Sequence, residues 1–170
     1  MIGFPVVRPT FAQIDLDVLK ANYRALHAFV ADPPSSSPQL IAVVKANAYG
    51  HGLVPVAQAL ETAGATMVAC ADIEEGVQLR DEGLRLPILI FGALTVSDLN
   101  GIFEYDLIPT VSSPSAARAL QDAASSRGVF LHCHLKIDTG MNRFGFRYDN
   151  LRRTMPEVLS GSHLVFDAVY

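Results

Sequence analysis

The sequence predicts an α/β protein, and within that class a partial (β/α)8 TIM-like barrel of about six of the eight strand-helix units. Three observations lead there. Short apolar runs alternate with helix-like stretches along most of the chain, the rhythm of right-handed β-α-β units laid into a parallel sheet. No glycine-rich turn of the G-x-G-x-x-G or Walker type follows the first strand-like run, although a doubly wound nucleotide binder normally carries one there. The chain has 170 residues and is still strand-like at Val169-Tyr170, whereas a complete barrel takes about 250 residues. One domain over residues 1–170 is therefore expected, as a fragment of a longer product.

The elements follow in order. Residues 1–13 read as an extended arm. Leu16, Leu19, Tyr23, Leu26 and Val30 recur at spacings of three and four, which puts them on one stripe of a helix over 15–30. The segment 31–38 contains Pro33, Pro34 and Pro38. It cannot continue that helix, because proline lacks the N–H donor and its ring clashes with the preceding turn, so it is a surface loop. Strands are expected over 39–44, 66–71, 86–91, 107–111, 131–136 and 163–170. Helices are expected over 53–63, 73–82, 96–104, 115–125 and 150–159. Asp72, and Ser112-Ser113 ahead of Pro114, suit helix starts. Gly64, Gly83 and Gly128 stand where helices should stop.

Composition removes several functions. Half of the residues are apolar, 18% are charged and the mean hydropathy is +0.28, so the chain buries a sizeable core. A net charge of −4 and no lysine-arginine cluster give no face for nucleic acid. The N-terminus lacks a basic and apolar leader. The longest apolar runs are also far short of the about 20 residues that span a bilayer. No membrane association is expected, and the expected location is cytoplasmic. Cys70 and Cys133 lie inside apolar runs and read as free, buried thiols, not as a disulfide framework.

Two strand ends carry the chemistry. The run Ile41-Ala42-Val43-Val44 ends in Lys45, and a loop with Gly50 and Gly52 follows. An apolar strand buried on both faces should not end in lysine unless that end opens onto a site. Partial desolvation there favours the free amine, a nucleophile toward a substrate aldehyde or pyridoxal phosphate. Taken alone, a strand-terminal lysine more often just reaches solvent. The fifth run ends in Lys136, with Arg143 seven residues on. Arginine grips a carboxylate through two parallel hydrogen bonds, which would anchor an amino-acid substrate; Asp138 could instead pair with Arg143 in a loop that binds nothing. Both ends should face one barrel mouth. His132 and His134 share a strand face but have no third ligand at suitable spacing, so no metal is expected. His51 reads as a turn residue. Glu74-Glu75 reads as an acidic first turn favourable to the helix dipole, not as a catalytic pair.

The stretch Ala42-Val43-Val44-Lys45-Ala46-Asn47-Ala48-Tyr49-Gly50-His51-Gly52 resembles the pyridoxal-phosphate attachment motif of the bacterial alanine racemase family. Lys136-Ile137-Asp138-Thr139-Gly140-Met141-Asn142-Arg143-Phe144-Gly145 resembles its second signature, which more often has leucine where Phe144 stands, and Arg8 to Leu16 resembles the family's opening. The similarity spans essentially the whole chain, but only the first half or so of a typical member. It implies interconversion of L- and D-alanine with pyridoxal 5'-phosphate as cofactor, supplying D-alanine for peptidoglycan. It further implies that Lys45 holds the cofactor as an aldimine and acts as one of two bases, that Tyr49 contacts the cofactor phosphate, and that Arg143 contacts the substrate carboxylate. Lys136 falls where many members carry a carbamylated lysine. The family's opposite base is a tyrosine from the C-terminal β domain of a partner subunit, which this chain lacks. The full-length form is accordingly expected to be a homodimer, and the 170 residues to be impaired alone. Three alternatives stand: a non-catalytic pyridoxal-phosphate binding protein of barrel fold, a racemase of another small amino acid such as serine, and a non-functional truncation.

Overall fold

A computed structural model describes residues 10–31, 38–94 and 99–170. Most of the arm expected over 1–13, the centre of the proline-rich loop and the start of the helix expected over 96–104 lie outside those residues. The chain opens with α1 (Leu16–Val30), where the Asp15 carboxylate accepts the N–H groups of Asp17 and Val18, both at 3.0 Å. Strands and helices then alternate. They run β1 (Ile41–Val43), α2 (Lys45–Tyr49), α3 (Leu53–Ala63), β2 (Met67–Cys70), α4 (Ile73–Asp81), β3 (Ile88–Ile90), α5 (Asn100–Glu104), β4 (Ile108–Val111), α6 (Pro114–Arg127) and β5 (Leu131–Leu135). The remainder comprises β6 (Ile137–Asp138), β7 (Phe146–Arg147), a 3-10 turn (Tyr148–Asn150), α7 (Leu151–Leu159) and β8 (Leu164–Val169).

Six strands make one parallel sheet in the order β1-β2-β3-β4-β5-β8. Each strand lies beside its predecessor, which is the order of a barrel arc. A doubly wound sheet reverses direction at a switch point, and this one does not. The expected partial barrel is what the chain forms. Among the described residues β1 and β8 are the sheet's edge strands, with Val43 44% exposed and Val169 64% exposed.

Alternation along the strands divides the residues between two faces. Val68, Cys70, Ile88, Ile90, Val111 and Cys133 belong to a buried apolar cluster with Leu60, Leu79, Leu120 and Ala124 of the covering helices. The intervening Ala69, Leu89, Thr110 and His134 are buried on the other face, the barrel interior. The expected caps are present: Asp72 accepts from Glu75 N at 2.9 Å and Ser113 from Ala116 N at 3.1 Å. Gly64 and Gly128 end their helices in the left-handed conformation.

Arg80 of α4 fastens the end of the barrel opposite the strands' carboxyl termini. Its guanidinium donates to four backbone carbonyls: Tyr105 at 3.0 Å, Leu84 at 2.8 Å, Leu86 at 2.7 Å and Asp106 at 3.2 Å. These carbonyls lie in the two loops that enter β3 and β4. Asp106 has a φ of 49°, a conformation that such an external donor helps to hold.

Cys70 and Cys133 are free and fully buried, as expected. Burial pushes both thiols up to about 12, so little thiolate forms at neutral pH. A maleimide titration of the native protein at pH 7 should label neither cysteine, and both should react once urea unfolds the chain; rapid labelling of the native form would show that the core opens.

Candidate active site

The carboxyl ends of the parallel strands form the mouth where barrel chemistry gathers. Lys45 directly follows β1 and Val44, whose N–H donates to Ala69 O at 2.9 Å. Its amine stands 5.2 Å from the centroid of the Phe91 ring, which follows β3. Lys136 follows β5, with its N–H on Val111 O at 2.9 Å and its amine 5.0 Å from the Tyr170 ring centroid. Both lysines are half-buried, and each rests on an aromatic face at the same end of the sheet. Among the described residues, no carboxylate forms an ion pair with either amine. Beneath them, the hydroxyls of Thr110 and Tyr170 are 2.8 Å apart and His134 meets the Tyr170 ring edge-on. Burial lowers the tendency of His134 to protonate, opposed in part by Asp167.

The segment after Lys45 departs from expectation. A glycine-containing loop was expected; instead α2 is a left-handed turn. Ala46, Asn47, Ala48 and Tyr49 have φ values of 52°, 55°, 52° and 54°. For L-residues this conformation costs roughly 1–2 kcal/mol each, because Cβ crowds the following carbonyl. Such strain persists only where its surroundings over-determine it. Here Ala48 N donates to Val44 O at 2.7 Å, Gly52 N to Asn47 O at 2.9 Å, and Leu53 N to the Asn47 side-chain oxygen at 2.8 Å. His51 does serve the turn, with Nδ1 3.3 Å from Tyr49 O.

A second strut comes from α4. One carboxylate oxygen of Glu75 accepts from Asn47 N at 3.3 Å and the other from Ala71 N at 3.0 Å. Read from the sequence, Glu75 was only an acidic first-turn residue. The Asp72-x-x-Glu75 spacing was a signal for an end-of-helix hydrogen bonder, but its partner across 28 residues was not legible.

The other expected residues, Tyr49 and Arg143, are both exposed. Tyr49 is 61% exposed and faces a groove beside α1 that Tyr23, Val43 and His51 also line. Arg143 is exposed, with its guanidinium 6.0 Å from the Phe144 ring centroid. Asp138 does not pair with it. The Asp138 carboxylate accepts the N–H groups of Gly140 at 2.9 Å and Asn142 at 3.0 Å, which hold it below the usual carboxylate range. Gly145, at φ 125°, lies so close to Lys136 O and Asp138 N that a Cβ would fall 3.1 Å and 2.9 Å from them. The His132 Nδ1 lies 3.0 Å from both carboxylate oxygens of Asp167.

Residues 14–170 match the family described as alanine racemase, N-terminal domain. The chain belongs to that family. The alanine racemase of Halothermothrix orenii is 42% identical over 142 residues, covering 84% of this chain and 36% of that protein. The solved alanine racemase of Clostridium difficile 630 superposes with a TM-score of 0.84 at 30% identity, over 96% of this chain and 42% of that one. A histidine racemase from Leuconostoc mesenteroides subsp. sake gives a TM-score of 0.79 at 28% identity, over 91% and 40%. The chain thus spans less than half the length of these relatives. The same partial barrel also occurs in racemases named for different amino acids, so the barrel arc alone does not set the substrate.

Proposed function

We propose that this chain is the N-terminal, lysine-bearing part of an alanine racemase that interconverts L- and D-alanine with pyridoxal 5'-phosphate. One observation carries the reading. The Lys45 amine sits at the barrel mouth without a carboxylate partner among the described residues, and the turn that follows it is held in a costly conformation. A lysine that merely reached solvent would need no such turn.

The residues present fit the cofactor by donor chemistry. Lys45 offers a primary amine, which attaches to an aldehyde with loss of water. Phe91 beside it offers an apolar surface, and the exposed Tyr49 offers a hydroxyl that would donate to a phosphate. When bound, pyridoxal phosphate supplies an electron sink that makes the substrate's α-hydrogen acidic. On its own face of the substrate, the Lys45 amine would take up and return that proton. The Arg143 guanidinium would hold the substrate carboxylate, and Lys136, carbamylated as in many family members, would orient that arginine. Racemisation needs a base on each face. The second is assigned to the C-terminal domain of a partner subunit in the full-length homodimer, acting in the cytoplasm to supply D-alanine for peptidoglycan.

The test separates attachment from turnover. Incubation with pyridoxal phosphate and borohydride should fix the cofactor on the peptide containing Lys45, while chiral chromatography should find little D-alanine formed from L-alanine by the 170 residues alone. In the longer gene product, alanine should racemise faster than serine or histidine. There Arg143→Ala should remove racemisation and leave attachment in place. An Arg143→Ala protein unchanged in every respect would favour a non-catalytic cofactor-binding protein, and no attachment at Lys45 would overturn the proposal.

A further inference from the structure

We infer that Glu75 is a positioning residue for Lys45, holding the backbone of the left-handed turn so that the amine stays at the barrel mouth. The inference rests on the reading of Lys45 as the cofactor lysine. Three features of the geometry support it. The two oxygens of one carboxylate accept from backbone N–H groups in two different loops, Asn47 after β1 and Ala71 after β2. Glu75 is itself fixed, since its own N–H donates to Asp72 at 2.9 Å. The Ala71 segment is in turn joined to the loop after β3, since Phe91 N donates to Cys70 O at 3.1 Å and Gly92 packs so closely that a Cβ there would fall 1.9 Å from Ala71 O. That last loop carries Phe91, over whose ring the Lys45 amine stands. A closed circuit therefore runs from Lys45 through Asn47, Glu75, Ala71 and Gly92 to Phe91 and back.

Only a carboxylate serves at position 75. Both partners are N–H donors, so two acceptors are needed, and aspartate is one carbon shorter. Glutamine has the right shape but offers one acceptor and an amide NH2, which would face an N–H. Glu75→Gln is thus a near-isosteric removal of half the strut.

The test compares wild type, Glu75→Gln and Glu75→Ala by two measurements. Without cofactor, hydrogen exchange followed by peptide mass spectrometry should rise in the variants over residues 45–52 and around Ala71, and stay unchanged over β4, β5 and α6. With pyridoxal phosphate, the saturating rate of attachment at Lys45 should fall about tenfold in Glu75→Gln, as expected for losing one hydrogen bond to a charged acceptor. The half-saturating cofactor concentration should not move. Exchange that rises throughout the chain would overturn the inference in favour of a general structural role. Unchanged local exchange, or equal attachment rates, would overturn it as well. Failure of the wild-type chain to attach cofactor would instead count against the reading of Lys45, and the exchange measurement would still decide whether Glu75 holds the turn.

Discussion

Lys45→Ala should abolish covalent capture of pyridoxal phosphate and, in the proposed full-length racemase, lower racemisation by about 10⁴-fold or more, the scale of a lost nucleophile and proton-transfer group. Lys45→Arg should be equally inactive: it keeps the charge, but a guanidinium is always protonated and does not add to an aldehyde. Both variants should fold. The Lys45 side chain is half-buried and stands over the face of Phe91, a contact worth about 1 kcal/mol or less at a partly exposed site. The measurement is mass spectrometry of borohydride-treated protein with circular dichroism as the folding control. A cofactor adduct of wild-type yield in Lys45→Ala, whether on Lys136 or elsewhere, would defeat the assignment.

Arg80→Ala should be the most destabilising single substitution of a charged residue at the far end of the barrel. Its guanidinium spans the two loops that enter β3 and β4 through four carbonyl contacts. Bonds to a charged donor contribute about 1.5–3 kcal/mol each where water is excluded. Arg80 is half-buried, so water recovers part of the loss, and about 3 kcal/mol is expected in total. For a chain of this size that lowers the melting temperature by roughly 6–12 °C. Arg80→Lys should recover less than half, because one ammonium cannot reach the carbonyls of both loops. A loss below about 0.5 kcal/mol, the range of ordinary surface substitutions, would show that the four contacts are not holding the loops.

The barrel arc was legible because parallel strands covered on both faces are written as apolar runs, and the six expected strands all form. Their ends are trimmed. The strand expected over 39–44 is reduced to Ile41–Val43 and that over 86–91 to Ile88–Ile90. Lys45 and Lys136 were legible for the opposite reason, as charges that interrupt those runs. The left-handed turn was not legible. No glycine marks residues 46–49, and only Asn47 is a residue type that readily enters that region. Its conformation is held partly by Glu75, 28 positions away, and a contact across that distance leaves no local pattern. Arg143 was picked out by its spacing from Lys136; its exposure and its packing beside the Phe144 ring were not legible from that spacing.

The handedness of that turn has a chemical consequence. Four consecutive residues at positive φ are a short piece of mirror-image backbone set into an otherwise ordinary chain. L-alanine at 46 and 48 is crowded there, whereas the same residue of opposite chirality would lie in its preferred well. A chain assembled by chemical ligation with D-alanine at those two positions would therefore relax its lysine loop where a D-residue elsewhere in a helix or strand would break it. In a family named for inverting alanine, the segment best suited to the inverted residue is the one that follows the attachment lysine.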